Sequence, residues 1–203
     1  MNGGGDWIES GLRTAARVML NRGAPRGAPP GDAVRLSWAG VALSLFIDAG
    51  VSATRWRVLQ AAPESAEAIA AAGSELAYVA GTVGRGAFAY GAYLATVLLL
   101  TPPAARGRFA AFLHAQNWGE AVLSAVLFAP LLLWSSLPPI RVEGAQVSGQ
   151  PTLSVLLFVL FVSVAFVARY RLCRDGLMVS GVRAFWTVLA AFAAGFTALG
   201  VLA

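Results

Sequence analysis

One carboxylate stands alone in an oily stretch. Asp48 interrupts the run LSWAGVALSLFIDAGVSA between Leu36 and Ala53, and no other acid lies so deep in an apolar segment. A carboxylate near a bilayer centre costs about 2.5–3.5 kcal/mol on insertion scales and less near an interface. It therefore needs a partner or a task. Arg85 stands near the start of the next apolar block, and the two are expected to form an intramembrane ion pair. The pair reads as a latch between two helices or as one step of a proton or ion relay. A relay needs further titratable groups stepping across the membrane, and the apolar blocks carry none at their midpoints. The latch is the favoured reading.

A second group of polar side chains sits in the run FLHAQNWGEAV, which leads into an uncharged stretch. His114 and Trp118 are four residues apart, as are Gln116 and Glu120, so each pair shares a helix face. Arg169, Arg171 and Arg174, in RYRLCRDGLMVSGVRAFW, fall on the same side of the membrane and offer Glu120 partners. His114, Gln116, Asn117, Glu120, Arg169 and Arg174 are thus expected to form a polar cluster at the cytoplasmic face. Its chemical scope is narrow. A metal site wants three or four His, Cys or carboxylate ligands, and one His, one Cys and one nearby Glu fall short. His114 has no GxSxG partner for nucleophilic catalysis, and GTVGRG at 81–86 lacks the Lys-Ser/Thr of a phosphate loop. The sequence predicts no cofactor, no metal and no catalytic site.

The elements that position these groups must suit lipid. Of 203 residues, 58% are apolar and 12% charged, with a mean hydropathy of +0.68. A water-soluble domain carries about 25% charge, so half the usual charge is left to coat a surface. Disorder is excluded on that ground, a purely soluble enzyme is disfavoured, and a disulfide scaffold is excluded by the single Cys173. All fifteen basic residues are arginine, for a formal charge of +5, a bias that fits a GC-rich bacterial genome. They lie between apolar blocks, where topology puts them, so nucleic acid is not an expected partner. Before Arg13 there is neither a positive charge nor an apolar core, so no cleaved signal peptide is expected.

Residues 1–32 read as a cytoplasmic segment: an amphipathic helix over 6–21 started by Asp6, then a Pro/Gly linker over 22–32. That helix either lies in the headgroup plane or packs on the bundle; the sequence leaves both open. Residues 33–203 read as an all-α polytopic membrane bundle of five transmembrane helices, about 36–53, 80–101, 119–137, 151–169 and 184–203. Four of these approach the ~20 residues that cross the hydrocarbon layer as helix. The first is weaker because of Asp48. Pro130 is expected to kink the third, and Asp175-Gly176 and Ser180-Gly181 to turn the chain between the last two. With five spans, eleven arginines fall inside and four outside; without the first span the best split is nine to six. The positive-inside rule then puts the N-terminus in the cytoplasm and the C-terminus in the periplasm, in the inner membrane. Helices in lipid associate by close packing of small residues. Ala87, Gly91 and Ala95, with Ala190, Ala194 and Ala198, are the expected contact rows.

From Arg108 onward, the RFxxFLHAQNWGEAV entry, a Val/Leu/Phe span and ARYRLCRDGLMVSGVRAFWTVLA form a distinctive series. It resembles a group of uncharacterised inner-membrane proteins of alphaproteobacteria that is itself distantly Yip1-like. The resemblance covers roughly the C-terminal half of the chain. It implies a cytoplasmic N-terminus and five spans, and it carries over no functional residue. The expected role is a non-catalytic accessory or organising component of a membrane complex or of the bilayer. Its partners would be lipid and other membrane proteins, or itself. The rival is a small oligomeric transporter or channel.

Overall fold

The computed structural model describes residues 6–20, 22, 31–61, 73–135, 141–142, 145–146 and 149–201. Its elements are α1 (Asp6–Met19), α2 (Gly31–Ala61), α3 (Glu75–Leu100), the short α4 (Pro103–Arg106) and α5 (Phe109–Leu123). A π-helical turn over Ser124–Phe128 continues α5 into α6 (Ala129–Ser135). After a two-residue ladder, Arg141–Val142 against Ala145–Gln146, come α7 (Gly149–Leu177) and α8 (Gly181–Val201). The architecture is helical, and α2, α3, α7 and α8 are long and apolar enough to cross a membrane. Their outer faces expose Phe46, Phe88, Leu99, Leu156 and Trp186, the surface of a multi-pass membrane protein.

Five helical columns form a ring. In order around it come α2, α3, α8, α7 and the composite α5–α6, which closes back on α2. Named contacts set the directions. Trp56 meets Tyr78, Tyr93 meets Phe192 and Phe166 meets Phe185, so α2/α3, α3/α8 and α7/α8 are antiparallel. Glu120 meets Arg169 while Gly176 packs on Phe112, so α5/α7 is antiparallel too. By contrast, Ala33 meets His114, Ser37 meets Asn117 and Ser44 meets Ser124, so α2 and α5 run parallel. The core fills one end of the ring, where Tyr93, Val97, Phe112, Ala115, Leu172, Leu177, Ala184 and Val188 pack together.

Several expectations change. The third segment is not one uniform span. Its helix starts at Phe109, ahead of the expected 119, and its π-turn ends immediately before the Ala129–Pro130 pair. Proline has no N–H and clashes with the carbonyl four residues back, and a π-turn absorbs that mismatch. The first segment, weakest in sequence, is a continuous helix straight through Asp48. Asp175-Gly176 does not turn. Gly176 is buried in α7, and a Cβ there would lie 3.1 Å from the Phe112 Cα, so glycine permits the α5–α7 approach. The chain turns at Met178 instead, with φ 52°, and the Val179 N–H bonds the Arg174 carbonyl at 3.1 Å to close the helix end. Arg169, Arg171 and Arg174 therefore belong to α7 and not to a connecting loop.

Small-residue packing also differs. α3 and α8 are the most extensively packed pair, yet Ala87, Gly91 and Ala95 are exposed. The buried α3 residues are Tyr93 and Val97, which share a core with Ala184, Val188 and Ala191 of α8. Of the expected α8 row, Ala198 is buried, whereas Ala190 and Ala194 are at its margin. An alanine-rich helix offers several small-residue rows, and the aromatic one on α3 makes the contact. The N-terminal helix packs on the bundle through Gly11, Ala15 and Val18, against α5 and α7. Arg171 Nη1 donates to the Met19 carbonyl at 2.6 Å, pinning its C-terminal end. The proposed linker lies mostly outside the described residues, as do 136–137 and 202–203 of the expected third and fifth spans.

Candidate functional site

The helix ring encloses a cavity of about 530 Å³, in the range of small-molecule sites. Its floor is the Glu120–Arg169 pair. Arg169 Nη2 lies 2.6 and 2.7 Å from the two Glu120 oxygens, and Nε lies 3.0 Å from Oε1. The side chains are only 14% and 9% exposed. Gln116 Nε2 donates to Glu120 Oε1 at 2.5 Å, an i, i+4 contact that helical spacing predicts. The guanidinium also sits over two rings, 5.1 Å from the Tyr93 centroid and 5.0 Å from that of Phe192. Four helices thus contribute to one charged knot.

A second chain of hydrogen bonds braces the floor. Tyr90 Oη donates to Asn117 Oδ1 at 2.7 Å, Asn117 Nδ2 donates to Ser37 Oγ at 2.9 Å, and Ser37 Oγ donates to the Val34 carbonyl at 2.6 Å. α2 and α5 can come this close because position 40 is glycine. Ser44 and Ser124 share a hydrogen bond of 2.6 Å one layer higher. Tyr93 lines the cavity, and its buried hydroxyl has no hydrogen-bond partner among the described residues.

The expected polar cluster therefore divides. Gln116, Asn117, Glu120 and Arg169 converge at the floor, on the inner face of the ring. His114 turns to α2, its Nδ1 3.0 Å from the Ala33 carbonyl. Arg174 pairs with its neighbour Asp175 at 2.7 Å and lies over Tyr170. The reason is helical phase: 116, 117 and 120 face inward together, while 114 lies nearer the end where α2 begins.

Asp48 and Arg85 both line the cavity, but the structure forms no ion pair between them. They are level nonetheless. Arg57 meets Glu75 at 3.8 Å, and counting back along the antiparallel pair brings Asp48 opposite Arg85. On α3, Arg85 stands eight residues up from Tyr93, about 12 Å at about 1.5 Å each. Arg55 and Tyr78 line the upper end. Between floor and rim the lining is mostly apolar, with Leu45, Phe128, Val162 and Phe196.

Sequence reasoning missed Tyr90, Tyr93, Ser37, Ser44, Ser124 and Arg55. Serines and tyrosines in an apolar helix carry no directional signal until the ring's phase is known. Comparison of the chain with protein-family models, with curated proteins and with solved structures gave no match. The reading of the site rests on its own geometry.

Proposed function

We propose that the chain is a five-crossing inner-membrane protein that binds a small molecule in the vestibule of its helix ring. It acts as a non-catalytic carrier or receptor, the transporter side of the sequence's alternatives. One observation carries the reading: a cavity of about 530 Å³, apolar in its walls and charged at floor and rim, within the ring. A buried tyrosine hydroxyl without a partner adds to it, because such groups normally have one.

Five crossings follow if α5–α6 is the third. Strict alternation then makes ring neighbours antiparallel except the first and third, and α2 and α5 are indeed parallel. Five crossings and a cytoplasmic N-terminus are also what the Yip1-like resemblance implies. The vestibule then faces the periplasm. Reporter tags on the two termini should read opposite compartments; the same compartment would remove one crossing.

The vestibule itself is tested by accessibility. Thr82→Cys lines the cavity, whereas Phe88→Cys, about 9 Å further along the same helix, faces away from it at 55% exposure. A membrane-impermeant thiol reagent added outside should label the first and spare the second. Equal labelling, or labelling only from the cytoplasmic side, would overturn the reading. The accessory role keeps one observation in its favour, the exposed row Ala87, Gly91 and Ala95, which offers a close-packing face to another membrane helix.

A further inference from the structure

Asp48 and Arg85 face one chamber at one level and leave each other alone. Neither makes an ion pair or hydrogen bond with a described residue, and both are partly buried. Opposite charges held apart within apolar walls need counter-charges from elsewhere, because an unpaired charge in such a place is costly. The other two charged residues in the cavity below them, Glu120 and Arg169, are spent on one another.

We propose that the vestibule is a binding site for a small zwitterion with an apolar body. Its ammonium sits against Asp48 and its carboxylate or phosphate against Arg85, with Arg55 at the rim as a second cation. The proposal rests on the vestibule reading above. Chemistry narrows the ligand class stepwise. A carboxylate only accepts hydrogen bonds, so Asp48 selects an N–H donor. A guanidinium is a planar fork that fits a carboxylate or phosphate. A simple anion would leave Asp48 without a partner and a simple cation would do the same to both arginines. A neutral ligand answers neither. The apolar lining of Leu45, Phe128, Val162, Phe192 and Phe196 takes an apolar body.

The same head chemistry occurs in a free apolar amino acid and in the phosphoethanolamine head of a lipid. The test uses the full chain in a non-ionic maltoside detergent and measures equilibrium binding by calorimetry. One arm compares leucine with 3-methylbutylamine and 4-methylpentanoate, which each lack one charge. The other compares lysophosphatidylethanolamine with lysophosphatidate, which lacks the ammonium. At least one zwitterion should bind about tenfold or more tightly than its single-charge analogues, as expected for a desolvated charge contact. Preference in the first arm alone names a solute from water; in the second alone, a bilayer lipid.

Asp48→Asn and Arg85→Gln should each abolish that preference, and Asp48→Glu, which keeps the charge, should retain it. Thr82→Trp, which fills the chamber without replacing a charged residue, should weaken every probe. No preference for either zwitterion overturns the proposal, as does preference that survives Asp48→Asn. If Thr82→Cys labels normally while preference is absent, only the ligand class falls. If Thr82→Cys does not label, the vestibule falls with it.

Discussion

Glu120→Ala is expected to destabilise the protein by about 3–5 kcal/mol, among the largest single-residue effects in the chain. The loss comes from what is left behind. Arg169 is buried among four helices, 14% exposed, and its guanidinium would keep its charge with no carboxylate to meet it. Gln116 would lose its acceptor in the same step. A buried pair as a whole stabilises far less than breaking it costs, because both charges had to leave water first. Replacing both partners, Glu120→Leu with Arg169→Leu, should therefore restore most of the loss, with Tyr93 and Phe192 packing on the new side chain. The measurement is a heating series on detergent-solubilised protein, followed by gel filtration of the folded fraction. A double variant as unstable as Glu120→Ala would mean that the pair contributes net attraction. A harmless Glu120→Ala would mean that Arg169 reaches water by another route. What the pair supplies beyond stability is registry, since Arg169 meets Glu120 at only one alignment of α7 on α5.

The membrane class and the positions of the long helices were legible because hydropathy is a sum over many residues, and sums survive local exceptions. α2, α3, α7 and α8 each overlap an expected span. What resisted was phase and depth. Arg169 reads as the first residue beyond a span, since arginine belongs at headgroups; in the structure it is part of α7 and is buried against Glu120, 49 positions earlier. The convergence of Gln116 with Glu120 was visible because both lie on one helix. That of Tyr90 with Asn117, or Ser44 with Ser124, joins different helices and leaves no local trace. Asp48 and Arg85 were expected to pair; both line the cavity, and no ion pair forms between them. A cavity between them is a property of the whole ring, and no spacing along the chain encodes it.

Glycine gives the sharpest contrast between what spacing implies and what packing requires. Gly91 sits in the row of small residues that motif logic selects, yet a Cβ there would meet nothing within 4 Å. Gly40 belongs to no such row, and a Cβ there would lie 2.6 Å from the Asn117 carbonyl oxygen and 3.1 Å from the Trp118 Cα. Those neighbours are backbone and cannot swing aside. Gly40→Leu is therefore expected to force α2 away from α5 and to cost about 3 kcal/mol, the upper end for overpacking a close-packed interface. The separation would also break the Asn117–Ser37 and Ser44–Ser124 bonds, which tie the vestibule's floor and lower wall together. Gly91→Leu should shift stability by less than about 0.5 kcal/mol, as ordinary surface changes do, because its side chain enters lipid. The same heating series decides it. If Gly91→Leu were the damaging change, the exposed row would be an occupied interface with another membrane helix. The accessory reading would then gain what the vestibule reading lost.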